Sequence, residues 1–143
     1  MTLNASYTLT AGVADYLTEH IDSVLPGIKY VGIGTDYEKK GRPQPFILVS
    51  PSRIDFNRDV YLGSLESELM IDCLISVDGY EADQVLKQSM LYADALVGLI
   101  TSDDQLSGLC EHAETSHAEF YPGGSGNRHY AIVTMKVSKL TDT

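Results

Sequence analysis

The sequence predicts an α+β fold: a mostly antiparallel sheet of four to five strands with two main helices packed on one face. Three observations carry this. Two long segments repeat apolar residues at three- and four-residue steps. One segment, Leu65 to Val77, places most of its apolar residues on one parity and its acidic residues on the other. The C-terminal third has two alternating runs joined by a glycine-rich tip, which reads as a hairpin. No repeat or linker divides the 143 residues, so 1–143 is expected to be a single domain.

The first helix is expected from Thr10 to Leu25. Val13, Tyr16, Leu17, Ile21, Val24 and Leu25 fall on one helical face. Thr10 is a candidate N-cap and Pro26-Gly27 a stop. A short β-branched strand, Ile28 to Gly34, leads into a polar loop from Thr35 to Gln44, which carries Lys39, Lys40 and Arg42. Pro45 to Phe56 reads as a strand broken by Pro51 and Ser52. Proline removes a ladder donor, so an edge, a bulge or a break is required there.

Leu65, Leu69, Ile71, Cys73, Ile75 and Val77 share one strand parity, and Glu66, Glu68, Asp72, Ser76 and Asp78 the other. The second helix is expected from Glu81 to Ile100, with a stripe of Ala82, Val85, Leu86, Met90, Ala93, Leu96, Val97 and Ile100. Ser102, Asp103 and Asp104 then offer caps for one short turn through Leu106 and Leu109. The hairpin runs from Ala113 to Tyr121, through the tip 122–127, and back from His129 to Leu140. The resulting order is α-β-β-β-α-β-β.

Composition narrows the function. A chain of this length buries roughly 70% of the surface its unfolded form exposes, so it needs neither disulfide nor metal to fold. Ten basic against twenty acidic residues give a net charge of −10. That offers no positive footprint for counterion release from nucleic acid. An acidic surface suits the opposite task of lining a channel along which DNA slides without sticking. Cys73 and Cys110 lie among apolar residues and are expected to be reduced and buried. Neither a leader nor a membrane span is expected, and the chain reads as a soluble intracellular product.

The closest approach to a chemical site is the run Cys110, His112, Glu114, His117 and Glu119, all zinc-ligand types. On a regular strand His112 and Glu114 share one face while His117 and Glu119 share the other, which argues against a common metal. The run Gly123-Gly124-Ser125-Gly126 leads into a strand rather than a helix. It therefore reads as a hairpin tip, not a phosphate cradle. Glu66 and Glu68 share a face and could in principle act as acid and base, although such a pair is more often a wet strand face. Neither a Gly-x-Ser-x-Gly motif nor a nucleophilic triad stands out. No catalytic residue, cofactor or metal is assigned, and the chain is not read as an enzyme.

The candidates for partner contact are Glu66, Glu68 and Asp72 on the acidic face, Lys39, Lys40 and Arg42 in the basic loop, and Gly123, Gly124 and Arg128 at the hairpin tip. Acidic side chains along one line attract the basic side chains of a partner or face a DNA conduit. An acidic face and a basic arm on one molecule satisfy each other head to tail, and heterologous contacts of that kind close into rings.

The order of elements resembles that of the tail terminator, or tail completion, proteins of long-tailed bacteriophages. The resemblance rests on the helix Thr10 to Leu25, the strand pair Pro45 to Phe56 and Leu65 to Val77, the helix Glu81 to Ile100 with its following segment Asp103 to Leu109, and the closing strand Tyr130 to Leu140. The passage ADALVGLITSDDQLSGL, Ala93 to Leu109, is the most telling part. The match is one of pattern over nearly the whole chain, and Pro51 departs from it. It implies a structural subunit of a hexameric ring that caps the tail tube and joins it to the neck. The implied partners are further copies of the chain, the tail tube protein and neck or connector proteins, with double-stranded DNA only as passing cargo and no membrane. The implied location is the head-proximal end of the virion tail, after assembly in the host cytoplasm. The rivals are another neck component, such as a head-completion or adaptor protein, a small metal-dependent enzyme built on Cys110, His112 and His117, and a binding module of unknown ligand.

Overall fold

The computed structural model describes residues 4–24, 26–36, 42–59, 63–122 and 128–142. The element order is α1 (Ala5–Val24), β1 (Tyr30–Ile33), β2 (Phe46–Asp59), β3 (Ser64–Val77), α2 (Ala82–Ser102), a 3-10 turn (Leu106–Gly108), β4 (His112–Pro122) and β5 (His129–Asp142). The five strands form one sheet in the order β1-β2-β3-β5-β4. Only the β1–β2 pair is parallel. Both helices lie on the same face, α1 over β1 and β2 and α2 over β3, β5 and β4. No helix among the described residues is long and apolar enough to cross a membrane.

The helix-covered face is built by the parity that the sequence displays. Leu69, Ile71, Cys73, Ile75 and Val77 from β3 meet Ala131, Val133, Met135 and Val137 from β5, and all are buried. Leu9, Val13, Leu17 and Ile21 of α1 and Val85, Ala93, Leu96 and Ile100 of α2 close over them. Each fully buried aliphatic side chain of this kind contributes about 1.5–3 kcal/mol relative to exposure.

Several expectations shift. α1 begins at Ala5, so Thr10 is an interior residue whose hydroxyl donates to Ser6 O at 2.7 Å rather than capping the helix. Within the expected stripe of α2, Leu86 and Met90 lie on the exposed flank. Ser89 and Tyr92 take buried places instead. Helix α1 approaches the segment after α2 closely because residue 12 is glycine. A Cβ there would stand 2.4 Å from the Leu109 side chain.

Pro51 is accommodated by a bulge, with the register slipping between Pro51 and Arg53. β1 pairs only with Phe46 to Val49, so from Ser50 onward the far edge of β2 carries no strand and the missing donor leaves no ladder bond unmade. The bulge also turns Ile54 and Phe56 toward the helix side, where an unbroken strand would send them outward.

The short turn after α2 forms as expected and is held by Asp103. Its Oδ2 accepts the Ser107 backbone N–H at 3.0 Å and the Tyr16 hydroxyl at 3.1 Å. Leu106 and Ser107 both adopt positive φ, at 48° and 57°. Non-glycine residues rarely do so unless their surroundings fix them. Here the burial of Leu106 and the two bonds to Asp103 supply that constraint.

Candidate interaction surface

The opposite face of the sheet carries no helix. Strand register assigns it Tyr30 and Gly32 from β1, Phe46, Leu48, Ser50, Arg53, Asp55 and Asn57 from β2, and Glu66, Glu68, Met70, Asp72, Leu74 and Ser76 from β3. Tyr130, Ile132, Thr134, Lys136, Ser138 and Leu140 continue it on β5. This face divides into two ends.

One end is apolar. Phe46 and Leu48 are buried despite facing away from the helices, and Ser76 beside them donates its hydroxyl to Gln44 Oε1 at 2.9 Å. Arg42 lies over the rings of Tyr30 and Phe46, with its guanidinium carbon 5.4 and 4.9 Å from their centroids. It also donates to Asp36 O. The Arg42 charge is therefore spent on its own molecule's aromatic rings and loop backbone.

The other end is charged and mixed in sign. Glu66 and Glu68 share a hydrogen bond, and the proton that bond needs, together with partial burial and the neighbouring charge, raises the Glu66 carboxyl above its ordinary range. Lys136 bonds Glu114 at 3.3 Å, which raises the lysine and lowers the Glu114 carboxyl. Arg53 pairs with Asp55 at 3.1 Å. Asp72, midway along, accepts the Thr134 hydroxyl at 2.9 Å. The acidic row is thus interleaved with Met70 and Leu74 on β3 and flanked by Lys136 on β5.

Glu66, Glu68 and Asp72 therefore share one face, and Arg42 lies at its far end. Arg128, just before β5, belongs to the hairpin end, and its Nε is enclosed without a hydrogen-bond partner. Lys39, Lys40, Gly123 and Gly124 lie outside the described residues.

The run Cys110 to Glu119 is arranged differently from its sequence parity. A register slip between Thr115 and His117 makes Ser116 an extra residue, so His112, Glu114, His117 and Glu119 all face the open side. The expectation of opposite faces is corrected. His112 lies 3.3 Å from Asp104 and 3.6 Å from Glu114, and His117 lies 3.3 Å from Glu119. Among the described residues no three His, Cys, Asp or Glu side chains are placed to share a metal ion. Both cysteines are free, and burial pushes the Cys73 thiol up to about 12 and the Cys110 thiol up to about 11. Neither forms thiolate near neutral pH, so neither offers a nucleophile there.

One hollow escaped the sequence reading. Leu86, Ser89, Phe120, Tyr121, Pro122, His129 and Tyr130 enclose about 190 Å³ between α2 and the ends of β4 and β5. Its sequence signal is faint. Ser89 is a polar residue one helical turn from Val85 and from Ala93, on the face that packs inward.

No protein-family model and no curated protein sequence matches the chain. Among solved structures, the fold is similar to that of a chain in the virion of a native gene transfer agent particle. The TM-score is 0.58 at 11% sequence identity, covering 98% of this chain and 100% of that one. At this identity the likeness is one of fold, extending from end to end of both chains.

Proposed function

We propose that the chain is a non-enzymatic structural subunit of a virion, and specifically the tail terminator that caps the tail tube as a ring and joins it to the neck. The observation that carries the reading is the end-to-end fold likeness to a chain of a gene transfer agent virion. The resemblance of element order to tail terminator proteins points the same way. The open sheet face is consistent with it: a face with carboxylates at one end and packed apolar residues at the other suits contact with neighbouring proteins. The net charge of −10 suits a conduit for DNA.

Native mass spectrometry with negative-stain imaging across a range of concentrations tests the proposal. A sixfold ring with an open centre, or binding to the ends of uncapped tail tubes, is the expected result. A twelvefold ring would replace the terminator with a connector adaptor. A monomer at every concentration that also ignores tube ends would overturn the virion reading.

A further inference from the structure

The sheet ends in two edges, and each is blunted over only part of its length. β4 is the last strand on its side, and its start is covered, since the Ala113 N–H donates to Asp104 O at 2.6 Å. A bulge follows at Ser116, and residues 117–122 then run in regular register with β5. On the other side, β1 pairs β2 only as far as Val49. Past the bulge between Pro51 and Arg53, β2 is regular through Asp59, and among the described residues no strand lies on its outer side. A regular, unpaired edge of this length offers its backbone donors and acceptors to a further strand.

We propose that these two edges pair with each other between copies of the chain, residues 118–122 of one copy lying antiparallel to residues 54–58 of the next. Strand direction supports this. Each neighbouring pair from β2 through β3 and β5 to β4 is antiparallel, so β4 runs opposite to β2. A copy rotated about an axis along the strands sets its β2 antiparallel to the first copy's β4, with both helix layers on the same side. The two sides of the joint then match in kind. On the helix side Phe56 is 50% and Phe120 42% exposed, and Phe120 adjoins Leu86 of α2. On the open side Asp55 and Asn57 meet Glu119 and Tyr121. Side chains select the register. With Phe56 opposite Phe120, Asp55 faces the uncharged Tyr121 and Asn57 faces Glu119. The Asn57 amide bonds Glu66 within its own sheet and has a second N–H for the Glu119 carboxylate. A slip that keeps the faces must move two residues. In one direction it opposes Asp55 to Glu119, and in the other it leaves only residues 120–122 of β4 paired. The joint unites unlike surfaces, so its repetition closes a ring or runs on as a filament. It deepens the ring reading and takes from that reading only the number of copies.

The test is site-directed cross-linking of the full chain. Asn57→Cys and Glu119→Cys change exposed residues, while the native Cys73 and Cys110 are buried. A mixture of the two single variants, treated with a short thiol-to-thiol cross-linker, is expected to yield a dimer that neither variant forms alone. The double variant is expected to give a ladder of oligomers, and adding Phe56→Glu, at an exposed position, to abolish it without lowering the melting temperature. Arg53→Cys mixed with Glu119→Cys is the register control. Arg53 lies about 13 Å along the strand from Asn57, beyond the cross-linker's reach, and is expected to stay unlinked. No dimer at the highest soluble concentration, equal linking of the control, or a ladder that survives Phe56→Glu overturns the proposal. A sixfold ring that forms without this cross-link overturns the edge pairing and leaves the terminator reading standing. The cross-link within a twelvefold ring or an open filament upholds the pairing and removes the terminator.

Discussion

The two faces of this sheet are made by the same strands and behave differently. On the helix side, β3 and β5 contribute an unbroken set of buried aliphatic residues from Leu69 to Val77 and from Ala131 to Val137. On the open side, β3 runs from Ser76, packed beside Phe46 of β2, to the carboxylates of Glu66 and Glu68. A covering layer makes this stretch of the face apolar, because a polar group buried there costs free energy unless it is hydrogen-bonded. Without that layer, each position answers only to its nearest neighbours. The helix-covered face accounts for the fold, and the open face is where variation can serve partners.

The sharpest test of that contrast compares two fully buried residues on opposite faces, Leu96 of α2 and Phe46 of β2. Leu96→Ala is expected to cost about 4 kcal/mol, near the upper part of the range for core truncations, because two packed layers cannot collapse onto the hole. Phe46→Ala removes more atoms but is expected to cost less, about 3 kcal/mol, because the Arg42 side chain lying over the ring can settle into the space. Urea denaturation measures both. A larger loss for Phe46→Ala would mean that the open face is as rigidly packed as the covered one.

A middle-sized effect is expected at Asp103, which ties the helix layer together through Tyr16 and Ser107. Asp103→Ala leaves the Ser107 N–H without its acceptor and two consecutive positive-φ residues without their clamp. A loss of about 1–2 kcal/mol is expected in the same denaturation series. Burial, followed by the bond to Asp103, also raises the Tyr16 hydroxyl to about 12, so this contact persists across the neutral range.

The smallest effect belongs to the acidic end of the open face and has the opposite sign. The folded-state Glu66 carboxyl is held above its unfolded value by Glu68. A group raised in this way favours the folded state below its unfolded pKa, and that advantage is lost as pH rises through the folded pKa. Glu66→Gln removes the repulsion and is expected to raise the melting temperature at pH 7 by about 1–2 °C. The gain should vanish in acid near pH 3, where the raised Glu66 carboxyl is already neutral and the amide removes no charge. A gain that persists at pH 3 would show that the amide acts through packing rather than charge.

The acidic row, the buried cysteines, both helices and the hairpin were legible because each depends on local spacing. The alternation of Leu65 to Val77 needs no knowledge of its neighbours to show which side is dry. The site candidates were legible as residue types but less so as arrangements. Arg42 is a basic loop residue in sequence and an aromatic-stacked lid over Phe46 in the fold. The run from His112 to Glu119 changes meaning through one extra residue, Ser116, which no periodicity announces. The hollow at Ser89 and His129 was hidden for another reason: its walls come from residues some forty positions apart in the chain.

By itself, the sequence determined the class of fold, the order of elements, the faces of β3 and β5, and a charge of −10 that excludes a general nucleic-acid-binding surface. These follow from short-range chemistry, since a side chain's parity and a residue's charge are fixed before the chain folds. Tertiary structure alone decided that β1 joins β2 in parallel, that β5 lies between β3 and β4, and that bulges turn Phe56 and His117 to their faces. It also decided that Leu86 stays exposed while Ser89 is buried. Each of these is set by which distant surface comes to lie alongside, and that is a property of packing rather than of spacing along the chain.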